Sequence, residues 1–152
     1  MSDRTAFACY IYACPEDQQA GALSVLTEGY GLDLNWGMSE GEGLSLTEAY
    51  TAEEISCGSA DFIAKELIEA APGCSFVLWE DPKYEWLGSL NAYTPELGHF
   101  TAECDANGRP VYTAAEITSM IAAAGDVDRA GLIAHIERAT GGAWFADWHK
   151  EG

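Results

Sequence analysis

Cys104 and His99 stand five residues apart, a pairing that raises a thiolate–imidazole nucleophile, provided the two groups come within hydrogen-bond reach. Their spacing argues against it. Over an extended 98–104, His99, Thr101, Glu103 and Asp105 fall on one face and Phe100, Ala102 and Cys104 on the other, so the pair points apart. Cys104 is expected as a core thiol. The three histidines, His99, His135 and His149, include no i, i+3 or i+4 pair and none pairs with a cysteine at metal-ligand spacing, so no transition-metal site is indicated. Glu40 and Glu42, set among glycines, lack the alternating aspartates and distant glutamate of a calcium loop.

Three carboxylate pairs have types suited to general acid–base work: Glu53 with Glu54, Glu80 with Asp81, and Glu103 with Asp105. Neighbours on a strand point to opposite faces, which disperses the first two pairs, while Glu103 and Asp105 share a face at a turn. These six read as solvated charge and are assigned to contact with a cationic partner. No nucleophile elbow, phosphate loop or dinucleotide fingerprint is present. The sequence thus assigns no catalytic, metal or cofactor-binding residue and calls for no cofactor.

Aromatic residues are the other candidates. Tyr84, Trp86 and Leu90 share a strand pattern and are expected in the core. Trp144-Phe145-Ala146-Asp147-Trp148 follows Gly141-Gly142 and predicts a short helix docking its rings on the body, with an exposed partner-binding patch as the alternative.

The elements that must position these residues follow from periodicity. Thr5 to Ala13 reads as a strand covered on both faces, and Pro15-Glu16-Asp17 opens a helix carrying Leu23, Leu26 and Tyr30 to a stop near Gly29. Leu32 to Trp36 and Leu44 to Ser56 predict strands around a glycine-rich hairpin loop at 37–43. Ser59 or Asp61 then caps a helix running to Pro72-Gly73, and Ser75 to Trp79 is a central strand. Tyr84 to Tyr93 and Gly98 to Cys104 predict two further antiparallel strands. Thr113 and Glu116 have capping-box spacing for one helix, and a second follows Gly125.

That order implies an α+β fold: a ferredoxin-like βαββαβ sandwich extended by antiparallel strands, with two C-terminal helices that either pack on the remaining face or stand as an appendage. One domain spans 1–152, with a split βαβ core at 1–79, a strand extension at 80–112 and C-terminal helices at 113–152. Cys9, Leu67, Val77, Leu78, Ile117 and Ile133 are expected in one continuous core. Hydrophobic residues make up 48% of the chain, with 5 Trp, 7 Tyr and 5 Phe, which a disordered acidic segment would not carry.

Charge narrows the partners. The chain holds 25 Asp plus Glu against 7 Lys plus Arg, a formal −18 over 152 residues, spread along its length rather than gathered in a tail. Such a coat repels nucleic acid and anionic membranes and attracts basic surfaces. Five cysteines without a C-x-x-C pair, no secretion signal and no apolar run of membrane-spanning length point to a reducing cytoplasm. In size and charge the chain is similar to the small acidic proteins of phages and mobile elements.

The leading expectation is a non-enzymatic protein that occupies the positive groove of a basic nucleic-acid-handling protein, as a DNA-mimic inhibitor does. Duplex DNA presents a charge every ~1.7 Å, so a competitor needs many carboxylates over a surface. A small cytosolic ligand-binding domain or enzyme whose acidity reflects genomic or salt adaptation is the alternative. A viral or plasmid assembly protein, with an apolar self-association patch, is the third reading.

Overall fold

The computed structural model describes residues 4–34, 43–83 and 87–145. The readings placed on Trp36, Glu40, Glu42, Tyr84, Trp86, Trp148 and His149 lie outside the described residues.

Strand β1 (Arg4–Ala13) alternates as its sequence predicts, with Phe7, Cys9 and Ile11 all buried on one face. After Pro15, a 3₁₀ turn at Glu16–Gln18 leads into α1 (Gln19–Ser24), which widens to a π turn at Val25–Gly29. Strand β2 (Asp33–Leu34) is brief, and β3 spans Ala49–Ser56. The strand predicted from Leu44 is therefore shorter at its start. Thr47 explains the break: its φ of 65° leaves the extended region, at a cost of about 1–2 kcal/mol for a residue with a Cβ. Its N–H donates to the Ile11 carbonyl oxygen at 2.8 Å, which turns the chain across the end of β1.

Helix α2 (Ser59–Ala70) is followed by β4 (Ser75–Glu80), β5 (Gly88–Thr94) and β6 (Gly98–Cys104). Helices α3 (Ala114–Ala124) and α4 (Arg129–Ala139) follow. The Thr113–Glu116 capping box forms, and Asp128 caps α4 by accepting from the Gly131 N–H. The six strands make one antiparallel sheet in the order β2-β3-β1-β4-β5-β6.

The core is two layers, not one. Phe7, Cys9, Ile11, Phe76 and Leu78 pack with Leu26, Ile63 and Leu67 of the helical layer on one sheet face. Val77, Trp79, Leu90, Ala92, Cys104 and Trp144 form a second cluster on the other. Successive residues of a strand project to opposite faces, so Val77 cannot share a core with Leu78. Burying side chains at about 25 cal/mol per Å² on both faces makes β4 the axis of the molecule, all six of its residues being buried.

Ile117 and Ile133 also depart from the expected core. Ile117 is half-buried and Ile133 is 52% exposed, because α3 and α4 pack chiefly on each other. The sheet face they might have covered is partly occupied by Trp144 and by the 105–110 loop. Gly108, at φ +73°, lies flat on the Trp79 ring, where a Cβ would come within 2.6 Å of it.

Candidate functional site

The six carboxylates assigned to partner contact do not form one patch. Glu53 and Glu54 are both exposed because β3 bulges there: Ile55 pairs with Thr5 and Ala52 with Phe7, leaving two β3 residues opposite Ala6. The bulge overrides the alternation that would have separated them. Glu103 is exposed on β6, four strand positions from β3, or about 19 Å at the usual strand spacing.

Glu80 is not available to a partner. Only 4% exposed, its carboxylate accepts from the Gly58 N–H at 2.8 and 3.0 Å and from the Ala60 N–H at 3.1 Å. Gly58 is the N-cap of α2 and supplies no capping side chain, so Glu80 satisfies the helix terminus from β4 in place of the predicted Ser59 or Asp61. Asp81 is half-buried and pinned through its main chain, which donates to the Ala6 oxygen at 2.9 Å and accepts from the Thr5 hydroxyl at 2.8 Å. Burial pushes its carboxyl up, a bond from the Trp79 side chain partly offsetting this.

Asp105 turns away from Glu103 into its own loop. It accepts from the Arg109 N–H at 3.0 Å, the Asn107 N–H at 2.9 Å and the Arg109 Nε at 3.0 Å. The Arg109 backbone bond foremost, with those others, holds its carboxyl below the usual range. Asp105 therefore shapes a turn, and Glu103 is the member of that pair that faces outward beside a cavity.

Cys104 and His99 point apart. The Cys104 thiol lies 3.9 Å from the Glu80 carbonyl oxygen, and burial pushes it up to about 12. His99 instead joins a polar chain that periodicity does not single out. Asn91, wholly buried in β5, donates from Nδ2 to Asp61 Oδ1 at 3.0 Å, and His99 Nε2 lies 2.7 Å from Asn91 Oδ1. The Asp61 carboxylate accepts only, which fixes the amide orientation, and Asn91 Oδ1 then accepts from a protonated His99 Nε2. Burial lowers the His99 pKa, against the raising effect of Asp61. The signal in the sequence was Ser89, Asn91 and Tyr93 alternating with Leu90 and Ala92, which puts an amide on the helical face of the sheet.

Beside this chain, where the helical layer gives way to the open face of β6, lies a cavity of about 380 Å³. Asp61, Glu103 and Glu116 are its acidic lining residues and Ser89, Thr101 and Tyr112 its hydroxyl-bearing ones, while among the described residues no Lys, Arg or His lines it. Glu116 is held by the α3 capping box, its Oε1 accepting from the Thr113 N–H at 3.0 Å. Burial pushes the Tyr112 hydroxyl up, and the Glu116 charge adds to that. Such a lining repels anions and suits an ammonium or guanidinium group. Among the described residues no group of three or more His, Cys, Asp or Glu could hold a metal ion.

Trp144 docks on the body as one of the two sequence readings held. Its Nε1 donates to the Gly98 oxygen at 2.8 Å, its ring stacks on Phe100 with centroids 5.0 Å apart, and the Arg138 guanidinium lies 5.6 Å from the ring centre. Among the described residues no helix is long and apolar enough to cross a membrane.

No curated protein and no solved structure matches this chain. A family model described as a protein of unknown function, DUF3145, matches residues 19–150, which take in β2 to β6, α1 to α4 and all the cavity residues named above but not β1, and the chain belongs to that family.

Proposed function

We propose that this protein is a non-enzymatic, strongly acidic binding protein of the cytoplasm that engages a basic nucleic-acid-handling protein, competing with nucleic acid for it. The observation that carries this reading is the cavity beside α2, lined by Asp61, Glu103 and Glu116 and by no Lys, Arg or His among the described residues. A Lys or Arg side chain entering there would meet charge-assisted acceptors, and the surrounding −18 would steer a basic surface toward it. Glu53 and Glu54, exposed on the far side of the sheet, extend the acidic coat rather than the same contact.

The strand order β2-β3-β1-β4, with α1 and α2 as crossovers, supports a ferredoxin-like arrangement for the first part of the chain, with β5 and β6 as its extension in a single domain. That architecture hosts many activities and does not by itself argue for one. A small ligand-binding domain is the second reading. It is favoured by the cavity volume of about 380 Å³, within the range of small-molecule sites, and such a ligand would be cationic.

The test is capture from lysate at low and high salt, using the wild type and an Asp61→Asn, Glu103→Gln, Glu116→Gln variant. A basic nucleic-acid-handling protein held by the wild type at low salt and lost by the variant supports the reading. Equal recovery on both proteins removes the cavity from it.

A further inference from the structure

Helices α3 and α4 bury no side chain, although much of their surface is apolar. From Ile117 to Ala124 the chain carries no charge, and Ile121, Val127 and Ile133 are 47%, 49% and 52% exposed. Each helix has 11 residues, fewer than the ~12–15 that make even a favourable isolated helix marginal in water. Their caps satisfy the helix ends but cover none of the apolar surface. The hairpin is therefore built to be packed against something beyond its own two helices.

Charge identifies the occupant. Residues 113–139 hold four acids and two bases, whereas the rest of the chain holds 21 acids and five bases. Two copies meeting through that remainder bring strong like charge together, and the hairpin is the surface where this opposition is least. A basic partner, by the same reasoning, is drawn to the acidic remainder and not to the hairpin.

We propose that the α3–α4 hairpin pairs with the same hairpin of a second copy of this chain, forming a two-fold, four-helix contact in which Ile121, Val127 and Ile133 are covered. This contact forms against net repulsion, so it strengthens as salt rises. Binding of a cation in the cavity beside α2 weakens as salt rises, and the two readings are separable on that sign alone.

Sedimentation equilibrium at about 50 mM and about 500 mM NaCl tests it, with the Debye length falling severalfold between them. The wild type should move from one-chain toward two-chain mass with concentration, and more readily at the higher salt. Ile121→Glu with Ile133→Glu should remain at one-chain mass, with circular dichroism matching the wild type because both side chains are already exposed. Ile121→Ala with Ile133→Ala, which retains helix propensity, should weaken association in the same direction. A wild type at one-chain mass under every condition, or variants that associate as the wild type does, would overturn the proposal.

Discussion

Glu80 closes the N-terminus of α2 from across the fold, its carboxylate accepting from the Gly58 N–H at 2.8 Å although 22 residues separate them in the chain. A charged acceptor buried against helix N–H groups is a structural tie, and truncating it leaves those donors without a partner. Glu80→Ala should lower stability by about 1.5–3 kcal/mol, the range for a hydrogen bond to a charged group, and Glu80→Gln by less. Urea unfolding of both variants checks this. A Glu80→Ala midpoint equal to the wild type would show that α2 does not depend on the tie.

The two-layer core sets a contrast between residues that periodicity alone placed together. Leu78 is fully buried, and Leu78→Ala should cost about 2–5 kcal/mol. Ile133, 52% exposed, should tolerate Ala within about 0.5 kcal/mol when measured on the dilute, unassociated protein. Comparable losses at both positions in thermal melts would place α4 inside the core.

His99 gives the protein a pH-dependent increment of stability. Burial holds its folded-state pKa below the usual 6.5, so the unfolded chain binds the proton more readily. The increment is complete above about pH 6.5 and is lost as pH falls through the lowered folded-state value. His99→Gln should flatten that part of the profile in urea midpoints taken from about pH 7.5 downward. An unchanged slope would mean that burial of His99 does not favour the neutral ring over the raising effect of Asp61.

The thiols should divide by burial. Burial pushes Cys74 and Cys104 up to about 12 and raises Cys9 and Cys14, and Cys57 is exposed. A thiol reagent at neutral pH should therefore modify Cys57 first, and Cys57→Ser should remove the fast phase while Cys9, Cys74 and Cys104 react only on unfolding. Fast loss of all five thiols in the native protein would contradict this burial.

Much of the fold is legible from local signals, and the exceptions have local causes. The alternation of Phe7, Cys9 and Ile11 and the Thr113–Glu116 spacing are short-range patterns, and they reappear in β1 and α3. The start of β3 is obscured by Thr47, whose left-handed backbone is set by its bond to Ile11 rather than by residue type. The exposure of both Glu53 and Glu54 depends on a bulge defined only once β1 lies alongside. Glu80, Asn91 and the cavity are tertiary facts: a buried glutamate and a surface one look alike until the N–H groups of Gly58 and Ala60 are in place. Of the six assigned carboxylates, Glu103 is the one that lines the cavity, joined there by Asp61 and Glu116, which the sequence marks only as helix-capping residues.

The central claim is most directly tested by displacement. A labelled DNA duplex bound to the captured basic partner is titrated with this protein, and fluorescence anisotropy is followed at several salt concentrations. Anisotropy should fall to the value of free duplex, with an inhibition constant that weakens steeply as salt rises and weakens further with Asp61→Asn, Glu103→Gln, Glu116→Gln. A duplex that stays bound while the partner is saturated with this protein, or a direct rise in anisotropy when this protein alone meets the duplex, would contradict the account.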